Sequence, residues 1–137
     1  MKANEIQIGD WVQDITPVVI DVISNEDICT YRTEHGYITA NPSNLKPIPL
    51  TVEILEKNGW RNVVFDEETP VMQIETRCDA FWWDSIKGEC GCERSVCDNG
   101  EECIEKTFFC KGIFYVHELQ RALRCCGLFD KANDIVV

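Results

Sequence analysis

Tyr115 to Leu128 reads YVHELQRALRCCGL, and this stretch decides the fold. Val116, Leu119, Leu123 and Cys126 recur at steps of three, four and three, which is the spacing of one buried helical stripe. Glu118 falls in the first turn and Arg121 and Arg124 in the last two, where the helix dipole favours each charge. Gly127 is placed to take the left-handed conformation that ends a helix, and Leu128 to pack back onto Leu123. The spacing therefore predicts a helix from Val116 to Cys126, each large side chain of its stripe contributing roughly 1.5–3 kcal/mol on burial.

Outward from this helix the chain reads as sheet. Thr107 to Val116 is expected as a strand running into the helix and returning against a longer strand from Val71 to Trp83. Between them lies a Cys-rich acidic insertion, residues 84–106. Trp60 to Phe65 reads as another strand. TVEILEKNGW, starting at Thr51, reads as a two-turn helix with Thr51 as N-cap, Asn58-Gly59 as stop, and Val52, Ile54 and Leu55 packing inward. On the far side, Phe129 to Asn133 is expected as a turn or short helix and Ile135 to Val137 as a final strand.

Residues 5–50 carry turn signals every few positions and no helical period. Strands are expected around Ile6-Ile8, at Trp11 to Gln13, Pro17 to Ile23, Ile28 to Thr33 and Tyr37 to Ala40, with Leu45 to Leu50 as an edge or closing strand because of Pro47 and Pro49. About five short strands suggest a small barrel, since closure removes exposed edges. Ile8, Val12, Ile20, Val22, Ile28 and Ile38 are the expected inward residues. The fold class is thus α+β: a small β-barrel over residues 1–50, then a helix, a hairpin bearing the insertion and a C-terminal helix over residues 51–137.

Thirteen basic against twenty-four acidic residues give a net charge of −11, which disfavours nucleic acid and anionic membranes; solubility is the plain reading of it, and it also suits a basic protein partner or a cation. The first residues, MKANEIQIGD, contain no apolar core of a signal peptide, and no apolar run is long enough to span a membrane. A cytoplasmic location is the resulting expectation, and there nine cysteines read as free thiols or a metal site before disulfides.

Three segments, MKANEIQIGDWV, LKPIPLTVEILEKNGW and YVHELQRALRCCGL, together resemble a family of small uncharacterised proteins of gut Bacteroidota and their phages and mobile elements. That resemblance covers roughly half the chain. It implies an N-terminal barrel of SH3-like form and an α+β C-terminal half, and it implies no activity. The Cys-rich stretch from Glu89 to Cys110 departs from the family pattern, which has a plain hairpin there.

In the insertion, Cys90, Cys92, Cys97, Cys103 and Cys110 are spaced C-x-C-x4-C-x5-C-x6-C. Structural zinc is usually offered two C-x2-4-C knuckles, which this pattern lacks. Reduced thiols are the leading reading, with zinc and disulfides as alternatives; the metal set, were there one, is Cys90, Cys92, Cys97 and Cys103. Asp98 to Glu102 lacks the spacing of a calcium loop. The histidines, His35 and His117, have no nucleophile at a useful spacing, Cys125 and Cys126 lying more than two turns beyond His117. No catalytic residue is assigned and no cofactor is expected.

The run Phe81-Trp82-Trp83 sends successive rings to opposite faces of a strand. One face reads as core and the other as core or contact surface. Trp82, Trp83, Glu101 and Glu102 are the candidate contact residues of a non-enzymatic phage or mobile-element protein that binds a basic protein. One specific form of that function is interference with a host defence system. The alternative is a zinc-stabilised domain whose insertion recognises a ligand.

Overall fold

The structure, a computed structural model, describes residues 1–64, 68–75, 79–98 and 100–137, and for residues 79, 96–98, 102 and 107 the backbone alone. It is α+β, with two antiparallel five-stranded sheets and three short helices.

The first sheet comprises β1 (Trp11–Gln13), β2 (Pro17–Asn25), β3 (Ile28–Thr33), β4 (Gly36–Ala40) and β5 (Lys46–Pro47), in the order β4-β3-β2-β1-β5. The strand count agrees with expectation, but the closed barrel does not form: β4 pairs only with β3, and β5 only with β1. The reason lies in the closing strand. After two ladder residues its chain leaves the sheet, and Ile48 to Leu50 bonds instead to Phe114 to Val116: Val116 N–H donates to the Ile48 carbonyl at 2.9 Å, and Leu50 N–H to that of Phe114 at 2.8 Å. Pro47 and Pro49, which have no N–H, suit so brief a pairing. The expected strand at Ile6-Ile8 is also absent, and a single 3-10 turn, Ala3–Glu5, precedes Ile6.

Ile6, Val12, Val18, Ile20, Cys29, Tyr31 and Leu45 form the core of this sheet. Of the expected inward residues, Val12 and Ile20 are buried, whereas Ile8, Val22, Ile28 and Ile38 are exposed. A bulge explains Val22. Ile20 faces Tyr31 but Val22 faces Thr30, so one residue is gained in β2 and Ile23, opposite Cys29, turns inward instead. Ile28 alternates with buried Cys29 and so points out. Ile38 lies opposite Tyr31, but on an edge strand that nothing covers, and Ile8 lies in the turn before β1.

The second sheet comprises β6 (Arg61–Asn62), β7 (Val71–Glu75), β8 (Asp79–Asp84), β9 (Cys90–Asp98) and β10 (Glu101–Cys110), a meander in the order β10-β9-β8-β7-β6. The expected strand from Trp60 to Phe65 shrinks to β6, Phe65 lying outside the described residues. The expected long strand from Val71 to Trp83 is two antiparallel strands, β7 and β8, on either side of residues 76–78, which also lie outside the description. Thr107 to Val116 does not return against it. Instead β9 takes the place beside β8, and β10 lies outermost. The segment read as an inserted loop, residues 84–106, thus supplies one whole strand and most of another. Alternation explains this: Cys90 and Cys92 face the same way as their cross-strand neighbours Trp83 and Phe81, and all four are buried in the second core.

That core is completed by the helices. In α1 (Val52–Lys57) Thr51 caps as expected, its hydroxyl accepting from Ile54 N–H at 3.2 Å, and Leu55 is fully buried. In α2 (Val116–Cys125) Val116, Leu119 and Leu123 are fully buried. Leu128 N–H donates to the Leu123 carbonyl at 2.8 Å and Gly127 N–H to that of Arg124 at 2.9 Å, the two bonds of a Schellman cap, with Gly127 at φ 77°. After α3 (Phe129–Asn133) the chain makes no final strand. The Asn58 amide imitates one: its Oδ1 accepts from Val136 N–H at 2.8 Å, and its Nδ2 donates to the Val136 carbonyl at 2.7 Å.

Candidate interaction surface

The β9–β10 ribbon forms one edge of the second sheet. Among the described residues, β8 pairs with β9 from Cys90 to Arg94, and residues 95–98 pair with β10. Among the described residues the outer edge of β10 has no neighbouring strand. Glu101, Cys103, Ile104 and Glu105 toward its turn are exposed, Ile104 to 72%. A two-stranded ribbon in water is marginal by itself, and an unpaired edge offers N–H and C=O groups to any incoming strand.

At the base of the ribbon the rings separate as strand alternation requires. Phe81 and Trp83 enter the core, where Trp83 is 2% exposed and its indole N–H donates to the Ile113 carbonyl at 2.8 Å. Trp83 is therefore a core residue and not a contact residue. Trp82 turns to the outer face, half-buried over Gly91 and 6.2 Å from the Phe109 ring. Gly91 is required there, because a Cβ would stand 2.8 Å from the Trp82 ring and 2.9 Å from the Phe108 carbonyl. Lys111 Nζ lies 5.7 Å from the Phe109 ring centre, and Phe109 is half-exposed.

The acids are not beside these rings. Glu101 pairs with Asp98 and Glu102 with Cys97 at the tip, eight residues along β10 from Phe109, or about 26 Å of extended strand. The expected contact set thus divides into an aromatic base, Trp82 with Phe109, and an acidic tip; the side chain of Glu102 lies outside the description.

The proposed metal set does not converge either. Cys90 and Cys92 are buried at the base, while Cys103 is exposed opposite Val96, four residues along β9 from Cys92, or about 13 Å. Two thiolates on one zinc, each about 2.3 Å from the metal, cannot be so far apart. The side chain of Cys97 is outside the description, and among the described residues no group of three or more potential ligands assembles.

A second constellation carries no signal in the sequence. Asp10, fully buried, joins the first sheet to α2: its carboxylate accepts from Gln7 N–H at 2.8 Å and from Arg124 Nη1 at 2.6 Å, with Arg121 Nη2 at 3.6 Å. Arg121 also donates to the Glu5 carbonyl. Gln120, also fully buried, accepts from Trp11 N–H at 2.9 Å and donates to the carbonyls of Gly9 at 2.9 Å and Ala132 at 3.1 Å. Trp11 packs on the second core, and its indole N–H reaches the Ile135 carbonyl at 2.6 Å. Arginines that suit the helix dipole are thus also the partners of a buried acid from the other end of the chain. Beside them, a cleft of ≈ 240 Å³ is lined by Met1, Glu5, Pro47, Tyr115, His117, Glu118 and Arg121. Among the described residues, His117 Nδ1 and Arg121 Nε are buried there without a hydrogen-bond partner. Burial lowers the pKa of His117 and Arg121 lowers it further, against the opposing pull of Asp10, Glu118 and Glu5.

No protein-family model matches the chain, and neither a curated protein nor a solved structure does. Among the described residues no helix is long and apolar enough to cross a membrane.

Proposed function

We propose that this protein binds another protein through the β9–β10 ribbon and turns over no substrate. The observation that carries the reading is the ribbon itself: two strands of nine and ten residues, the outer one bearing exposed Glu101, Glu105 and Ile104 along an edge that is unpaired among the described residues. A basic extended segment suits this edge. Main-chain bonds to β10 would hold it, and the acids would steer it and fix its sign of charge. Trp82 and Phe109 at the ribbon base supply an aromatic anchor for its far end. The net charge of −11 supports a basic partner over nucleic acid or an anionic membrane. The resemblance to proteins of Bacteroidota phages and mobile elements supports a narrower form, in which the partner is part of a host defence system and is met in the bacterial cytoplasm.

The test is affinity capture with the tagged full chain and with a Glu101→Lys/Glu105→Lys variant, read by quantitative mass spectrometry at low and high salt. A partner enriched by the parent chain, lost about tenfold or more in the variant and weakened by salt is the expected result. Recovery of the same proteins by both baits would overturn the reading.

A further inference from the structure

Three thiols, from β9, β10 and the end of α2, meet at the start of β9. Cys90 on β9 and Cys110 on β10 are direct cross-strand partners, at the level of Trp83. Cys126, which follows α2, packs with Cys110 against the core that contains Cys90. We propose that Cys90 and Cys110 are a redox-active dithiol, closed to a cross-strand disulfide by a low-molecular-weight disulfide such as oxidised glutathione.

Residues facing each other in an antiparallel pair have Cα atoms about 4.5–5.5 Å apart, inside the roughly 4.4–6.8 Å that a disulfide spans. The bond therefore needs no backbone rearrangement. Access is unequal: Cys110 is half-buried, whereas Cys90 is fully buried. Burial first, then the neighbouring Cys110 and Cys126 thiols, push the Cys90 pKa up to about 12, so Cys90 stays protonated while Cys110 is free. Roles follow from this asymmetry. The Cys110 thiolate attacks one sulfur of the small disulfide, whose S–S bond breaks, leaving a mixed disulfide on Cys110 and one released thiolate. Capping Cys110 removes its charge from beside Cys90. The Cys90 sulfur then attacks the Cys110 sulfur, displacing the second small thiol, which carries away the Cys90 proton. The two protein thiols lose two electrons in all, and the small disulfide gains them.

The product ties β10, whose strand neighbour among the described residues is β9, to the sheet at the level of Trp83. None of this depends on the ribbon binding a partner.

Peptide mapping tests it. Trypsin separates the sites, leaving Cys90 with Cys92 on residues 88–94, Cys110 on residues 107–111, and Cys125 with Cys126 on residues 125–131. After titration of the native chain with oxidised glutathione, peptides 88–94 and 107–111 should be joined with loss of two hydrogens, and fragmentation should place the bond on Cys90. Reductant should reverse it. The link should vanish in Cys90→Ala and Cys110→Ala and persist in Cys92→Ala and Cys126→Ala. Fragmentation of the unsubstituted protein decides the matter should a core variant fail to fold. Glutathione adducts on Cys110 with no internal link, a bond to Cys92, or Cys110 joined to residues 125–131 would each overturn the proposal.

Discussion

Replacing Asp10 by Asn removes one charge and almost no volume from the junction between the first sheet and α2. Asp10 is fully buried, while the side chains of its ion partners Arg124 and Arg121 are 14% and 29% exposed. Removing one member of a buried pair strands the other charge, at a cost of about 3–5 kcal/mol. The residual exposure of both arginines places Asp10→Asn at the lower end, about 3 kcal/mol. With an unfolding entropy of roughly 2.1 cal/mol/K per residue, a chain this long has about 0.29 kcal/mol/K, so the expected fall in Tm is about 10 °C. Thermal melts followed by circular dichroism at neutral pH measure it. An Arg124→Gln variant and the double variant complete the cycle; the double variant should be much less destabilised than the sum of the singles. A Tm within about 2 °C of the parent, or strict additivity, would refute the argument that this ion pair joins the first sheet to α2.

Leu123→Ala, which empties a fully buried site on α2, should cost about 2–5 kcal/mol in urea unfolding, and an unchanged midpoint would remove the stripe from the core. Gly127→Ala should cost about 1 kcal/mol, because Gly127 sits at φ 77° with open space around it and conformation alone is charged for. His117 has a lowered pKa when folded, so its contribution is fully present above the ordinary value of about 6.5 and is lost as pH falls through the folded pKa. Tm should therefore fall below about pH 6.5, and His117→Gln should flatten the slope between there and pH 5; an identical slope in the variant would exclude His117 as its source. Asn58→Ala removes both amide bonds to Val136, and hydrogen exchange should then show faster exchange at Val136, whose N–H loses its acceptor.

How far the sequence can be read depends on how far apart the deciding atoms lie. The α2 stripe, its Schellman cap and the Thr51 cap are each settled within about five residues, and all form as read. The first-sheet strands from Trp11 to Ala40 were likewise legible, through β-branched runs between turns. Facing was not: a single bulge after Ile20 exchanged Val22 for Ile23, and no local signal marks it. In the Cys-rich stretch, small and polar residues disguised a strand, because β9 begins with Cys90, Gly91 and Cys92, and its two thiols are buried beside Trp83 and Phe81.

Tertiary structure alone decided which edge stayed open, which thiols became neighbours and which acid was buried. Closure of the first sheet was lost because Ile48 to Leu50 found partners before α2. Cys110 met Cys90 through the register of a hairpin, the two lying twenty positions apart with no spacing signal for that pair. Asp10 and Arg124 are 114 residues apart in the chain. Capping and periodicity act between neighbours along the backbone, so a sequence displays them. The burial of a charge is paid for only by a partner brought up from elsewhere in the fold, and the composition of neither segment records that encounter.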